Sequence, residues 1–183
     1  MPHVSSTGPT RLDERLSLRP IGIDDFSSLR YLHATSLRAQ TLEVLSDEEL
    51  AAFIRLVYSP VYTSLLMKEE VYGAWIDAEL IGTVSWHAAG NNGSTASIGG
   101  IFVRHRRLGI GRRLLAEAEA RAHQCGFERV SACATANAVP FFLRLGYEPV
   151  SRGVRSLSVE CVLPVTFVKK RLPPGRPATA ALN

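Results

Sequence analysis

The chain has 183 residues, of which 46% are hydrophobic, and its formal net charge is +4. This length and apolar content predict one globular domain with a full core, and the chain is short for two domains. No run approaches the ~18 apolar residues of a membrane span, and residues 1–11 have no signal-peptide core, so we expect a cytoplasmic protein. The odd number and spacing of Cys125, Cys133 and Cys161 predict reduced, packed cysteines that hold no metal.

The two ends of the chain differ in composition from the middle. Residues 1–13 are polar and contain Pro, Gly and Ser, and residues 172–183 are rich in Pro, Ala and Thr. We expect both ends to be flexible tails and assign a single domain to residues 14–171. The first predicted element of that domain is a strand at Leu16 to Pro20.

Two helical segments follow this strand. Asp24 or Asp25 can cap a helix that runs to about Gln40 and has His33 near its apolar face. A single histidine without metal-spaced partners is more often a packing or surface residue than a ligand, and we interpret His33 in that way. The second helix opens at Ser46, which has capping-box spacing with a glutamate three residues later.

The next region connects the helices to the centre of the domain. Pro60 ends the second helix, and Val61 to Glu70 are expected to form a short helix or a loop that crosses toward the centre of the domain. Tyr58 and Tyr62 have two interpretations there, as substrate contacts or as aromatic residues of the core.

Three predicted strands come next in the chain. Val71 to Asp77 and Leu80 to His87 alternate in polarity and read as a hairpin. A loop rich in Gly and Asn, Ala88 to Thr95, separates them from a third strand at Ala96 to Val103. Three successive strands joined in this way predict an antiparallel meander.

The stretch from Ile101 to Leu115 passes from a strand through a basic glycine turn into an amphipathic helix. Gly109 and Gly111 at the helix start allow close approach to the backbone, whose unpaired N–H groups and helix dipole favour an anion. The surrounding arginines indicate a phosphate or a pyrophosphate. A solvated basic turn is the alternative interpretation.

Other ligands of such a turn match the sequence less well. The chain has no Walker A run, and Leu114 stands where a dinucleotide fingerprint needs its third glycine. The arginine cluster also suits nucleic acid, but no interleaved aromatic platform or nucleic-acid motif accompanies it. We therefore expect a compact polyphosphate ligand, with neither nucleic acid nor a membrane as a partner.

The remaining elements complete the predicted fold. The helix after the turn ends at Gly126, and the strand Glu128 to Ala134 should pair parallel to the strand before the turn. A short helix with Pro140 in its first turn precedes two closing strands, Val150 to Arg155 and Val162 to Lys170. The expected fold is α/β, with a mixed, mainly antiparallel sheet of about six to seven strands, a central parallel pair and about four flanking helices.

Two motifs in this order resemble the GNAT superfamily of acetyl-CoA-dependent N-acetyltransferases. The run Arg106 to Gly111 has the pattern Arg-x-x-Gly-x-Gly of the pyrophosphate loop in that family. The second signature of the family, Ala-x-x-Phe-Tyr-x-x-x-Gly-Phe, is similar to Ala138-x-x-Phe141-Phe142-x-x-x-Gly146-Tyr147. The resemblance covers Leu16 to Arg171 and implies a GNAT-like fold, in which the central parallel strands splay apart around the pantetheine arm.

The resemblance also implies which residues bind acetyl-CoA. The strand before the turn would bond the pantetheine arm, and N–H groups of the turn would bond the pyrophosphate. The expected cofactor-binding residues are Phe102, Val103, Arg106, Arg107, Leu108, Gly109, Ile110, Gly111, Arg112, Asn137 and Phe141.

The reaction that the resemblance implies is direct transfer of an acetyl group from acetyl-CoA to an amine of a small molecule or a protein. The amine must lose a proton before it attacks, so a general base is needed. His87 is our candidate, because it ends a central strand and an imidazole titrates near neutral pH. A structural histidine is the alternative interpretation.

One residue departs from the family pattern at a catalytic position. Phe142 replaces the tyrosine that commonly protonates the departing thiolate, and a phenyl ring has no proton to donate. The alternative function is therefore a non-catalytic acyl-CoA-binding or sensing domain. A homodimer through the C-terminal strands is suggested by the resemblance alone, and the identity of the acceptor has no code in the sequence.

Overall fold

The computed structural model describes residues 15–40, 44–90, 93–106 and 108–173. Within them, seven strands form one mixed sheet: β1 (Leu16–Pro20), β2 (Glu70–Ile76), β3 (Glu79–Ala88), β4 (Thr95–Val103), β5 (Arg129–Ala134), β6 (Glu148–Ser156) and β7 (Val162–Arg171). The strand order is β1-β2-β3-β4-β5-β7-β6. The β4–β5 pair is parallel and the other neighbouring pairs are antiparallel, which confirms the predicted class of sheet.

Helices cover both faces of this sheet. The described residues contain α1 (Phe26–Gln40), α2 (Asp47–Val57), α3 (Pro60–Leu66), α4 (Ile110–Gln124) and α5 (Val139–Arg144), with a single 3-10 turn at Ile23–Asp25. These are five α-helices where about four were expected, because α3 is a separate helix. Pro60 occupies its first position, where no intrahelical N–H bond is lost, and the Ser59 hydroxyl caps it by accepting from the Tyr62 N–H at 3.3 Å.

The core is divided between the two faces of the sheet. In β2, Val71 and Trp75 belong to one buried cluster, and Tyr72 and Ala74 belong to the other, as expected when successive side chains of a strand alternate. The first cluster includes the apolar faces of α1, α2 and α3, and the second includes that of α4. Burial of one leucine such as Leu114, which is fully buried under α4, contributes about 2 kcal/mol to folding.

Part of the predicted C-terminal tail falls within the described residues. Leu172, assigned to the C-terminal tail by composition, is buried and donates its N–H to the Glu128 carbonyl at 2.8 Å, so ordered structure extends past Arg171. The rest of both expected tails, residues 1–13 and 174–183, lies outside the described residues, except that Pro173 is described. Among the described helices, none has the length and apolarity to cross a bilayer.

The three cysteines are all free, as predicted, but their expected burial was wrong for two of them. Cys161 is buried, whereas Cys125 and Cys133 are exposed. Cys125 is the residue at the C-terminal end of α4, and Cys133 lies on β5 where that strand has no β4 partner, so neither has a neighbouring layer to cover it.

Candidate active site

The parallel strands β4 and β5 separate in the middle of the sheet. Their pairing runs from Thr95 opposite Arg129 to Ile98 opposite Ala132, and both strands continue beyond the last pair. From Gly99 onward β4 no longer has β5 as a neighbour. A sheet that opens between two strands exposes backbone groups and creates a cleft at its centre, as the resemblance implied.

A bulge in β4 accompanies this separation. Thr83 of β3 lies opposite Phe102 and Ser85 lies opposite Gly99, so β4 has one residue more than β3 between these pairs. Gly100 within the bulge has a φ of 58°, and a Cβ there would lie 2.9 Å from the Ser85 hydroxyl oxygen. Only glycine fits this position without strain. Because a bulge bends its strand, it accounts for the turn of β4 away from β5.

The resulting cleft has a volume of about 850 Å³. It reaches from the turn before α4 to the face of the sheet covered by α1, α2 and α3. We call its two regions the glycine-turn end, formed by Arg106, Gly109, Gly111, Arg112 and Arg144, and the histidine side, formed by Tyr62, Glu69, His87 and Arg155.

The glycine-turn end is suited to a polyanion. Gly109 precedes α4 with a left-handed φ of 74°, which places the first N–H groups of a 15-residue helix at the cleft. The first turn of α4 contains no acidic residue, and three exposed arginines, Arg106, Arg112 and Arg144, line the same region. The helix dipole and these charges together make the potential positive.

Most of the predicted cofactor-binding residues meet at this cleft. Its lining includes Phe102, Val103, Arg106, Gly109, Ile110, Gly111, Arg112, Asn137 and Phe141. The Ile110 side chain is buried in the core, so that residue offers its backbone alone. Leu108 is half exposed and is not part of the lining, and Arg107 lies outside the described residues.

The second motif closes the cleft beside the turn. Phe141 of α5 lies 3.6 Å from the position that a Cβ of Gly111 would occupy. Asn137, just before α5, accepts a hydrogen bond from the Thr135 hydroxyl at 2.6 Å. Phe142 is buried and packs edge-on against Phe141 and Tyr147, with ring centroids 5.4 and 5.1 Å apart. The cleft wall at this position is thus a hydrocarbon surface.

A buried chain of hydrogen bonds supports the histidine side. His33 of α1 is 1% exposed, stacks on Phe102 at 4.0 Å, and bonds Tyr62 and Thr83, each at 2.7 Å. The Thr83 hydroxyl donates to the Gly100 carbonyl at 2.9 Å, so it must accept from Nε2–H of His33. Nδ1 therefore carries no proton and accepts from the Tyr62 hydroxyl.

The hydrogen-bond chain from Tyr62 through His33 and Thr83 to Gly100 cannot accept a proton from a substrate. Burial lowers the pKa of His33 to about 3, which leaves the ring neutral near neutral pH. Burial also raises the pKa of Tyr62, and its proton is directed to His33. The chain ends at a backbone carbonyl, which binds no proton. His33 thus acts as a packing residue, as interpreted from the sequence, and it fixes the bulge carbonyl of Gly100 through Thr83.

His87 of β3 also lines the histidine side. Its side chain is 45% exposed, and its Nδ1 is 3.6 Å from a carboxylate oxygen of Glu69, whose side chain is 23% exposed. This distance is longer than a hydrogen bond but brings opposite charges together whenever the imidazole is protonated. The predicted base therefore has an acidic neighbour in the cleft.

The sequence motifs did not identify Glu69 or Arg155. Glu69 precedes β2 in a turn without any motif, and its closeness to His87 depends on how β2 and β3 pair. Arg155 lies in the strand β6, far along the chain from Tyr62, Glu69 and His87. Tyr62 is a core aromatic residue, 6% exposed, and it also forms part of the cleft wall.

Comparison with known proteins identifies the family. A family model described as an acetyltransferase (GNAT) domain matches residues 41–160, about two thirds of the chain, and the chain belongs to this family. The protein is therefore an acyltransferase. None of the curated proteins compared with it matches.

Solved structures share the fold at low identity. A GCN5-related N-acetyltransferase from Rhodopseudomonas palustris is 21% identical, with a TM-score of 0.74, over 85% of this chain and 95% of that one. The PaiA N-acetyltransferase from Thermoplasma acidophilum, in complex with coenzyme A, is 19% identical, with a TM-score of 0.66, over 86% and 99%. A phosphinothricin acetyltransferase from Sinorhizobium meliloti, in complex with AcCoA, is 18% identical, with a TM-score of 0.64, over 88% and 90%.

Proposed function

We propose that the protein transfers the acetyl group of acetyl-CoA directly to an amine. The observation that carries this proposal is a single cleft that joins a cationic helix N-terminus to the His87–Glu69 pair. One end of the cleft suits a pyrophosphate, and the other suits an amine that must lose a proton. Direct transfer is supported by the continuity of the cleft, which lets both substrates bind together.

The glycine-turn end fits acetyl-CoA in size and charge. Its N–H groups and its three arginines match a pyrophosphate, and the gap between β4 and β5 offers backbone groups along the path to the histidine side. Structures of the relatives from Thermoplasma acidophilum and Sinorhizobium meliloti contain coenzyme A and AcCoA, which supports the same ligand here. Acetyl-CoA, when bound, supplies an acetyl thioester that is activated toward amines.

His87 is the proposed general base. It accepts the proton that the acceptor ammonium must lose, and the Glu69 carboxylate, 3.6 Å from Nδ1, stabilises the imidazolium that results. The neutral amine nitrogen attacks the thioester carbonyl, the carbon–sulfur bond breaks as the amide forms, and the second proton that the nitrogen loses passes to solvent water. Phe142 has no proton to donate, so the departing thiolate takes its proton from water; a thiolate is stable enough to leave without an acid.

The second candidate function is a non-catalytic acyl-CoA-binding or sensing domain. Phe142 favours it, because the residue that takes the place of a family acid is buried and packed against two aromatic rings. The His87–Glu69 pair argues against it, since a binding domain has no use for a base that faces the cleft.

Two measurements on the full chain separate these functions. Calorimetric titration with acetyl-CoA tests binding, and release of free CoA thiol in the presence of a mixed amine panel tests transfer, with mass spectrometry of the amide product. We expect binding and amine-dependent thiol release. Binding without release for any amine would favour the sensing domain, and absence of acyl-CoA binding would overturn both functions.

A further inference from the structure

Arg155 is a cation of the cleft that the binding of a pyrophosphate does not explain. It lies on β6 opposite Leu163, and its guanidinium is 5.5 Å from the centre of the Phe53 ring. Phe53 belongs to the buried cluster under α1, α2 and α3, on the histidine side. The arginines of the glycine-turn end come from the turn before α4, from α4 and from α5, so Arg155 is separate from them in the fold.

Within the described part of the chain, no carboxylate forms an ion pair with this arginine. Its ring contact with Phe53 holds the guanidinium plane beside an apolar wall and leaves its N–H donors available to a ligand. A charged group that lines a cleft without a partner is a candidate for ligand recognition.

Arg155 and Glu69 provide opposite charges around one phenol. The pKa of Tyr62 is raised mainly by burial, and among nearby charges Arg155 and Arg30 lower it and Glu69 raises it. Arg155 and Glu69 therefore act on the same hydroxyl. Although Cys133 is exposed to the cleft, partial desolvation raises the pKa of its thiol more than Arg155 lowers it, which keeps the thiol neutral near pH 7. Among the described residues that line the cleft, the histidine side presents the Glu69 carboxylate and the Arg155 guanidinium, with apolar walls from Leu65, Leu163 and Val165.

We propose that Arg155 determines acceptor specificity by binding a carboxylate, so that the acceptor is a small amine that also carries a carboxylate group. Its ammonium lies at Glu69 and His87, and its carboxylate pairs with the guanidinium. A planar guanidinium can bind a carboxylate with two parallel hydrogen bonds, which an n-alkylamine cannot use. This inference rests on the proposed acetyl transfer from acetyl-CoA.

The experiment compares ω-amino carboxylates with n-alkylamines of the same chain length, because the amine group titrates similarly in both series. Steady-state kcat/KM is measured for the parent and for Arg155→Met, Arg155→Lys and Arg152→Met. Arg152 lies on the same strand, is exposed and does not line the cleft, so its variant is the matched control.

We expect the parent to prefer the carboxylates by roughly ten- to hundredfold, the range of a hydrogen-bonded charge. Arg155→Met should remove this preference, mainly by raising KM for the amino carboxylates. Arg155→Lys should retain part of it, and Arg152→Met all of it. Equal kcat/KM for both series in the parent, or a preference that survives Arg155→Met, would overturn the role of Arg155.

Calorimetry with the CoA complex distinguishes failure of this inference from failure of the proposed function. If amino carboxylates bind the parent and not Arg155→Met but are never acetylated, the carboxylate site stands and acetyl transfer to them is wrong. If amines are acetylated without regard to a carboxylate, transfer stands and the carboxylate site is wrong. If no amine of either series binds or reacts, both the carboxylate site and the proposed acetyl transfer are wrong.

Discussion

The two regions of the cleft are built in different ways. The glycine-turn end takes most of its groups from one stretch of chain, Arg106 to Arg112, and its main ligand groups are backbone N–H donors. The histidine side takes single side chains from α3, from the turn before β2, from β3 and from β6. The first region tolerates changes of side chain that keep the backbone free, whereas the second depends on each side chain and on the strand pairing that places it.

Gly111→Glu gives the largest expected effect on the glycine-turn end. A carboxylate placed against the ligand phosphates costs several kcal/mol, a loss of at least about a hundredfold in acetyl-CoA affinity measured by calorimetry. Glutamate in the first turn of α4 is favourable for the helix, so the variant should fold.

Gly111→Ala is the matched control for that change. A Cβ at this position lies 3.6 Å from Phe141 and 3.7 Å from Val103, which is ordinary contact distance. We expect affinity within a few-fold of the parent, roughly 1 kcal/mol or less. If alanine abolishes binding as glutamate does, steric filling and not charge governs this end.

His87→Ala tests the histidine side without changing the glycine-turn end. Loss of a general base lowers kcat by about a hundredfold or more, and the dissociation constant of acetyl-CoA should stay the same. His123→Ala, on the part of α4 away from the cleft, should have no effect on either quantity. Unchanged kcat in His87→Ala would remove this histidine from the mechanism.

Thr83→Val tests the hydrogen-bond chain behind the histidine side. Valine keeps the shape of the side chain but leaves the His33 Nε2–H and the Gly100 carbonyl without a partner, at a cost of about 2 kcal/mol or more. For a domain of this size we expect Tm to fall by roughly 5 °C or more. Thr83→Ser keeps the hydroxyl, so its Tm should fall by less than that of Thr83→Val. Equal decreases in Tm would mean that the hydrogen-bond chain contributes little to stability.

His33→Gln tests the smallest effect, the dependence of stability on pH. The pKa of His33 is about 3 in the folded protein and 6.5 in the unfolded chain. Between these values the unfolded state binds a proton that the folded state does not, so the free energy of unfolding decreases as pH falls below 6.5, by up to ~1.4 kcal/mol per pH unit.

Denaturant titrations at several pH values measure that slope. The His33→Gln variant should be less stable at neutral pH, because its packing changes, but should lose less stability on acidification than the parent does. His123→Gln is the surface control, with the slope of the parent. A slope that is the same in the parent and in His33→Gln would mean that His33 is not held neutral.

The fold and the glycine-turn end could be predicted because their signals are local. A strand, a turn with Gly109 and Gly111, and an amphipathic helix follow one another without interruption, and their backbone geometry forms the proposed anion site. The same holds for the β2–β3 hairpin and for the α2 capping box, where the Ser46 hydroxyl accepts from the Glu49 N–H. The sequence predicts about four helices and the described structure has five, because Pro60 both follows α2 and begins the separate helix α3.

The pairing of His87 with Glu69 was decided by tertiary structure. From the turn register, with Ile76 opposite Glu79, an unbulged hairpin would place Glu69 opposite Trp86. The observed register slips by one residue between Ala74 and Trp75, so that Glu70 lies opposite Trp86 and Glu69 reaches His87. A slip of one residue exchanges the two faces of a strand, and periodicity does not specify it.

The sequence by itself thus determined the class of sheet, the position of the glycine turn and the family, because the motifs for each are runs of neighbouring residues. Tertiary structure alone decided which side chains from other segments line the same cleft. His33, Glu69 and Arg155 come from segments separated by dozens of positions, and strand register, the Gly100 bulge and the packing of α1 bring them together. Side-chain sites of this kind depend on contacts between distant segments, which no local pattern encodes.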